Sequence, residues 1–553
     1  MINNYNIMKT KFFYPILLLC CIIIVSCSSD NDSINEVQSI KLEDAQFTFD
    51  IRNFGSDVEI TRASKSESTD TINIGDRLEA AISIENDSKD PLTRSSVEMT
   101  NQHYTIYATK GGQIVPNSIL KGTLSGNGAN KIFTPDAGTP SKVQIPAGTY
   151  TFVCFNDALK FTSTGGLELV NTQKATMAKA LIGTTTQTIS GNKWKVPFVM
   201  RPCFARVRVK MVTFWKFNDI KGDITTSSTM PLPSSTAYNT DGTDSQTSGT
   251  GVLGNCEFAN TATEASDYTY TSTSDYVYLL PHTDLNTLKL AFTNGELYRK
   301  QLSTTGGINF KNFTSTVKQG DSYTFKAKVF YKYNYLFASG TPKTGTLVAN
   351  PGRTPIAAVI NGNLAIALKN ANNGNPCQWA AENSPANTRD NTNLYNNYQF
   401  SSTYNTYNGE QETYNGSNSS RFPGVIKANE LVRYPAFYYA AHYSPGVSTT
   451  YTRWFLPSYG EIKLALTALC GFDQNSVTDY NDIKEGHQHW DADLVKVIMV
   501  QAGGVSPVNE EVYLSSTEFY TTNQCAVRLK QNLVNFGFRE KTTLRYVRSF
   551  IHY

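Results

Sequence analysis

The feature that most restricts the fold is an alternation of apolar and polar residues with period two. Its sharpest case is Phe204-Ala205-Arg206-Val207-Arg208-Val209-Lys210-Met211, apolar on one side and cationic on the other. Successive side chains of a strand point to opposite faces, so this pattern makes a half-buried strand. The same rhythm runs through Phe47 to Ile51, Tyr104 to Tyr107, Thr149 to Phe155 and Lys195 to Met200, and again through Tyr276 to Leu280, Leu288 to Phe292 and Tyr323 to Val329. Clusters of Gly, Asn and Pro separate these runs, as in stacked antiparallel sheets. With 31 Tyr and 29 Phe, and with Thr, Ser and Asn abundant, the chain favours strands and turns. The Ser/Thr-rich stretch from Thr225 to Thr250 has no period and reads as a long loop.

A boundary falls near Tyr331. Beyond it, Asn370 to Arg421 is rich in Asn, Tyr, Thr and Ser, and helical patterns begin. Ser458-Tyr459-Gly460-Glu461 is a capping box; Ile462, Ala465, Leu466 and Leu469 follow at helical spacing and Gly471 closes the helix. Asp493 to Gln501 is a second helix candidate. Glu430 to Tyr443 is a third, limited by Pro435 inside it. Strands return at Glu511 to Leu514, Ala526 to Leu529 and Leu544 to Ile551, so this region is α+β.

The N-terminus carries an export signal. Lys9 and Lys11 precede the apolar run Phe12 to Val25, which is short for a membrane span and fits a signal-peptide core. It ends in Ile24-Val25-Ser26-Cys27, a lipobox. Residues 1–26 are expected to be removed and Cys27 to carry diacylglycerol and an N-acyl chain, which together anchor stably in the outer membrane. No other cofactor is expected. Residues 28 to about 40 read as a tether. Past the lipobox, Cys154, Cys203, Cys256, Cys377, Cys470 and Cys525 remain; no CxxC spacing is present, and their pairing is open. A net charge of +3 with 17% charged residues gives no reason to expect a nucleic-acid partner.

Residues 28 to about 330 resemble the fimbrillin family, lipoprotein subunits of type V pili. The carriers are the lipobox, Ile60-Thr61-Arg62-Ala63, Pro146-Ala147-Gly148-Thr149-Tyr150-Thr151-Phe152 and Phe204 to Met211. The resemblance implies a mainly β architecture, with two tandem transthyretin-like Greek-key β-sandwich domains at residues 63–201 and 202–330. It implies that residues 27–62 form a lipid tether and a removable first strand. A trypsin-like protease would cut after Arg62, and a strand from another pilus subunit would fill the groove. Such strand addition draws affinity from backbone hydrogen bonds and register from alternating side chains. The other reading of Arg62 is a surface arginine between strands.

Residues 331–553 resemble the C-type-lectin-like domains appended to bacterial surface lipoproteins. Trp454-Phe455-Leu456-Pro457-Ser458, then Tyr513 to Glu518, then Arg545-Tyr546-Val547-Arg548 stand in the order W-x-LP-S, SST-E, R-x-VR. Trp454, Pro457, Ser458, Glu461, Ser516, Glu518 and Arg548 read as scaffold. Trp454 and Leu456 are expected to pack on the capped helix, Pro457 to set its start, Ser515 to Thr517 to satisfy turn backbone, and Glu518 to pair with Arg545 or Arg548.

For ligands, Tyr395, Tyr398, Tyr404, Tyr407 and Tyr414 are candidates to stack on sugar faces, the alternative being a polar loop whose tyrosines pack locally. No calcium motif is found, because Trp490-Asp491 is followed by Ala492, and His487 and His489 lack a third ligand, so no metal is expected. Hydrolase, zinc-protease and phosphate-loop motifs are absent and an enzyme is not expected. Domain order points to a fimbrial tip adhesin that meets host or bacterial surface glycans or proteins. The alternative is a permanently anchored glycan-binding lipoprotein of a nutrient-uptake system.

Overall fold

The computed structural model describes residues 39–41, 45–52, 54–55, 70–86, 102–126, 132–169, 174–190, 194–226, 232–249, 255–258, 263–310, 316–392, 405–471, 490–509, 511–531 and 533–553. Cys27, Arg62, Tyr395, Tyr398, Tyr404, His487 and His489 lie outside them. The chain is mainly β, with strand residues far outnumbering helical ones.

The first large sheet has the order Ala45–Ile51, Trp194–Pro202, Leu181–Ile189, Gly148–Asn156, Gln102–Lys110, Leu120–Ser125, Ile132–Pro135. Alternation decides its faces. Tyr104, Ile106, Ala108, Phe152 and Cys154 point into one core with Val196, Phe198 and Met200. Their neighbours Tyr107, Val153 and Phe155 point the other way. There they meet Leu159, Leu167 and Tyr238 of a four-stranded sheet. That smaller sheet contains the hairpin Leu232–Tyr238 and Asp244–Gly249, where a loop was expected. Short Thr/Ser strands lack an apolar rhythm, and the pairing comes from the tight turn. Asp241 Oδ1 accepts from Thr243 N at 3.0 Å, and Gly242 takes φ +79°.

The second large sheet is centred on Ala205–Thr213, paired in parallel with Ser322–Tyr331. Val207, Val209 and Met211 are buried while Arg206, Arg208 and Lys210 are half-buried, as the alternation requires. Ser322–Tyr331 also pairs with Leu78–Asn86, which pairs with Asp70–Gly75. Those two strands were expected in the first sandwich, residues 63–201. The structure puts them in the second sheet because Ala80 and Ile82 share its core with Phe325 and Ala327. A facing four-stranded sheet supplies Ile224, Leu290, Phe292 and Ile308.

The chain leaves this sheet at Tyr331 and enters a six-stranded sheet at Tyr335–Phe337. Its other strands are Thr344–Gly345, Pro355–Val359, Leu364–Ala367, Phe550–His552 and Trp454–Phe455. A three-stranded sheet, Val512–Glu518, Asn523–Lys530 and Leu533–Glu540, completes the region. The helices Tyr459–Cys470 and Ala492–Val500 pack between them. The third helix candidate is real only from Pro435 to Ala441, with the proline in its first turn, where a missing N–H costs nothing.

This last region is welded to the second sandwich. Gln501 Nε2 donates to Tyr331 O at 2.9 Å and to Tyr335 Oη at 2.7 Å, while its Oε1 accepts from Tyr331 N at 3.2 Å. Arg299 Nε donates to Asp491 Oδ2 at 2.7 Å. One apolar core runs through both, from Val207 and Phe325 to Ile462 and Ile498.

Candidate functional site

Two places have geometry that goes beyond packing. The first is the N-terminal edge of the first large sheet. Ala45–Ile51 pairs in parallel with Trp194–Pro202, aligning Phe47 with Val196, Phe49 with Phe198 and Ile51 with Met200. Phe47, Phe49 and Ile51 are half-buried, and Thr48 and Asp50 are exposed. Phe47 and Phe49 stack on Phe198 with ring centroids 6.2 and 5.7 Å apart. Beneath them Val196, Phe198 and Met200 are essentially inaccessible. Lifting the strand would bare this row and the free backbone edge of Trp194–Pro202 together, an arrangement that favours re-pairing with another strand.

After Ile51 the chain crosses to the second sandwich. Arg52 N donates to Met200 O at 2.9 Å and Gly55 N to Gly320 O at 2.8 Å. The Arg206 guanidinium lies 4.6 Å from the Phe54 ring centroid. The next described strand, Asp70–Gly75, belongs to the other sheet. Arg62 lies outside the described residues, in sequence between Ala45–Ile51 and Asp70–Gly75. A cut there would separate Ala45–Ile51 covalently from the rest of the fold.

The second place is the hub built by the C-terminal motifs. Ser515, Ser516 and Thr517 form a bulge, because four steps from Leu514 to Glu518 oppose two steps from Ala526 to Gln524. Within the bulge Thr517 N donates to Ser515 Oγ at 3.3 Å, as a turn-satisfying serine would, and the three residues also bind other elements. Ser515 O accepts from Trp379 Nε1 at 2.8 Å, Ser516 N donates to Pro457 O at 2.7 Å, and Thr517 Oγ1 accepts from Tyr459 N at 3.1 Å. Glu518 pairs with neither Arg545 nor Arg548. Its carboxylate accepts from Asp390 N at 2.9 Å and Asn391 N at 2.7 Å, and it bonds the Lys541 ammonium. Lys541 Nζ also lies 2.7 Å from Asp390 Oδ2 and 3.0 Å from Ser384 Oγ. Burial raises the Glu518 pKa. Burial opposes ionisation of Asp390 as well, but Lys541, Ser384 and Tyr434 outweigh it and hold its carboxyl low. The chain thus supplies its own cation at this carboxylate pair. Among the described residues, no group of three or more Asp, Glu, His or Cys is arranged to hold a metal ion.

The capped helix is as expected: Ser458 N donates to Glu461 Oε2 at 2.7 Å, and Gly471 ends the helix at φ +68°. Pro457 precedes the cap. Trp454 does not pack on this helix. Strand alternation sends Phe455 to the helix with Tyr459 and Ile462, and sends Trp454 to the opposite side with Leu336 and Ile551. Leu456 packs with Trp379 and Phe437. Arg548 Nη2 donates to Val505 O at 3.0 Å and Nη1 to Ala367 O at 3.3 Å, which ties the segment before Phe550–His552 to the end of Leu364–Ala367 and to the loop after Ala492–Val500.

Of the tyrosine candidates, Tyr414 is engaged in the fold: its hydroxyl donates to Trp454 O at 2.6 Å and Arg453 covers its ring at 4.3 Å. Tyr407 is 48% exposed. The other three candidates, Tyr395, Tyr398 and Tyr404, lie outside the described residues. Sequence reasoning missed Asp390, Lys541 and Trp379, which are scattered and join only through long-range contacts.

No family model matches the sequence, and no curated protein matches it. The chain is similar in structure to a fimbrial protein from Bacteroides ovatus, at 13% identity and TM-score 0.24, covering 94% of this chain and 100% of that one. It is similar to a fimbrial anchor protein from Porphyromonas gingivalis, at 10% identity and TM-score 0.19, covering 45% and 77%. A candidate cell adhesion protein from Bacteroides uniformis matches at 14% identity and TM-score 0.28, covering 42% and 91%. Scores this low leave function to be argued from the strands and side chains themselves.

Proposed function

We propose that this chain is a subunit of a surface fimbrium, delivered as a lipoprotein through Cys27 and completed by strand exchange. The observation that carries the reading is the Ala45–Ile51 edge strand, with Phe47, Phe49 and Ile51 over Val196, Phe198 and Met200. Cleavage after Arg62 frees it, and an alternating strand of a neighbouring subunit takes its place. Burial of three half-covered apolar side chains is worth about 3 kcal/mol at roughly half of full burial. Displacement also breaks the parallel ladder to Trp194–Pro202, and an incoming strand restores both the ladder and the burial.

Residues 331–553 form the adhesive end, on a C-type-lectin-like plan. Because Ser322–Tyr331 runs directly into them, that end of the second sandwich is not free to donate a strand, and the subunit terminates its fibre. N-terminal sequencing of the protein on intact cells tests this. A start at Ala63 is expected; a start at Cys27 contradicts the reading and is what a permanently anchored glycan binder would show.

A further inference from the structure

The C-terminal region has a surface cleft that opens outward from Asp390 of the buried hub. Asp390 and Tyr434 form its floor, and Arg421, Phe422, Val432 and Arg433 its mouth. The floor is electrostatically finished. Asp390 is fully buried and already accepts from Lys541, Ser384 and Tyr434.

The mouth is different. Arg421 and Arg433 clasp the Phe422 ring from 5.0 and 4.9 Å, which fixes both guanidinium forks at the opening. Arg421, 15% exposed, is already engaged on both amino groups. Its Nη2 is bonded at 2.5 Å to Glu382, which is 69% exposed, while Nη1 donates to Asn383 O at 3.4 Å and lies 4.0 Å from Asp390 Oδ1, so a ligand carboxylate reaches it by displacing Glu382. Arg433 has one long contact, 3.4 Å to Glu430 Oε2, and leaves half of its side chain exposed. Fixed forks of this kind suit a carboxylate, which they bind in bidentate fashion. Beside them the Phe422-to-Val432 connection exposes aliphatic surface. Val432, Leu431 and Ile426 are 78%, 43% and 39% exposed. A concentration of large apolar side chains next to a cleft marks a recognition surface.

The surface chemistry separates two kinds of ligand. A sugar wants an open aromatic face. Here the Phe422 ring is held between two guanidiniums and Tyr434 is buried, so the cleft offers none. Aliphatic side chains beside paired arginines match an extended peptide in which a carboxylate is flanked by apolar residues. We propose that this cleft binds such a segment of a partner protein, with the carboxylate on Arg421 and Arg433 and an apolar side chain on Val432. The proposal rests on the reading of residues 331–553 as the recognition end and is independent of strand exchange.

An array of synthetic 8-residue peptides, varied in charge and in Leu, Ile and Val content, is probed with the full chain, and hits are measured by fluorescence anisotropy. Bound peptides are expected to pair Asp or Glu with aliphatic neighbours. Replacing that acid by its amide, or Arg433→Glu in the protein, weakens binding at least tenfold; Val432→Ser weakens it about threefold. Glu382→Gln tightens it, because Arg421 is released from its competitor. These surface substitutions leave the circular dichroism unchanged. The proposal is overturned if no acidic peptide binds, if amide peptides or Arg433→Glu bind equally well, or if an acidic oligosaccharide binds in place of the peptides. Strand uptake by the Arg433→Glu protein stays normal, so failure here and failure of the fimbrial reading are told apart.

Discussion

Replacing Lys541 by Met removes an ammonium that faces two buried carboxylates and lies 5.0 Å from the Trp379 ring centroid, while keeping an unbranched stem. Lys541, Asp390 and Glu518 are all at 0% exposure, so water cannot stand in for the lost charge. Breaking a buried pair in this way costs about 3–5 kcal/mol. The fold has one escape, which is to protonate Glu518. With an unfolded-state value near 4.3, that costs about 3.7 kcal/mol at pH 7 and about 1 kcal/mol at pH 5. A carboxyl whose folded pKa is raised loses stability as pH climbs above its unfolded value. The deficit of the Lys541→Met protein should therefore be about 3–4 kcal/mol at pH 7 and shrink by about 2 kcal/mol at pH 5. Urea unfolding followed by tryptophan fluorescence reads it, since Trp379 and Trp454 are buried in the same region. Adding Glu518→Gln to the variant should recover part of the loss at pH 7. A deficit below about 1 kcal/mol, or one that does not change with pH, would refute the assignment of Lys541 as the internal counter-ion.

His103 holds Asp157 Oδ1 and Asp136 Oδ2 at 2.7 Å on its two ring nitrogens. Burial disfavours its charge, but the two carboxylates outweigh burial and raise its pKa. Its stabilisation is full below about pH 6.5 and is lost as pH rises through the raised folded value. His103→Gln should therefore cost most near pH 6 and least near pH 9, and an equal cost at both would contradict the clamp. Gly460→Ala would normally favour a helix, but here the new Cβ would stand 2.3 Å from Thr406 O. A loss of about 1–3 kcal/mol by thermal unfolding is expected in place of a gain. The six cysteines from Cys154 to Cys525 are buried, and burial pushes the Cys203 and Cys377 thiols up to about 12. On chain lipidated at Cys27, a thiol reagent at pH 8 should label none of them before denaturation and all of them after; a smaller number after denaturation would reveal a disulfide.

Local chemistry was legible in the sequence, and long-range pairing was not. The Phe204 to Met211 alternation and the Ser458-to-Gly471 helix signals depend on neighbours within a turn or a strand, and both appear in the structure. Leu232–Tyr238 was missed because its Thr and Ser residues give no apolar rhythm, although the turn at Asp241-Gly242 was a signal. Asp70–Gly75 and Leu78–Asn86 lie in sequence between strands of the first large sheet, Ala45–Ile51 and Gln102–Lys110, but belong to the second sheet in space. Only their partner, Ser322–Tyr331, some 240 positions away, decides that. The Glu518 partner was misassigned for the same reason. Arg545 and Arg548 are close in the motif, whereas Lys541 reaches the carboxylate from just past Leu533–Glu540, which is separated from Val512–Glu518 by Asn523–Lys530. The edge-strand groove was foreshadowed by the Phe47 to Ile51 alternation. The parallel pairing with Trp194–Pro202 came only with the structure.

Strand exchange itself can be measured directly. The chain starting at Cys27 is cut with a trypsin-like protease and incubated with a synthetic strand peptide of alternating apolar residues, and the species are weighed by native mass spectrometry. The predicted result is a product beginning at Ala63 that releases residues 27–62 and takes up one peptide, with Phe198→Asp abolishing uptake. A chain that resists the cut, or a 27–62 fragment that no peptide displaces, would contradict strand exchange at this groove.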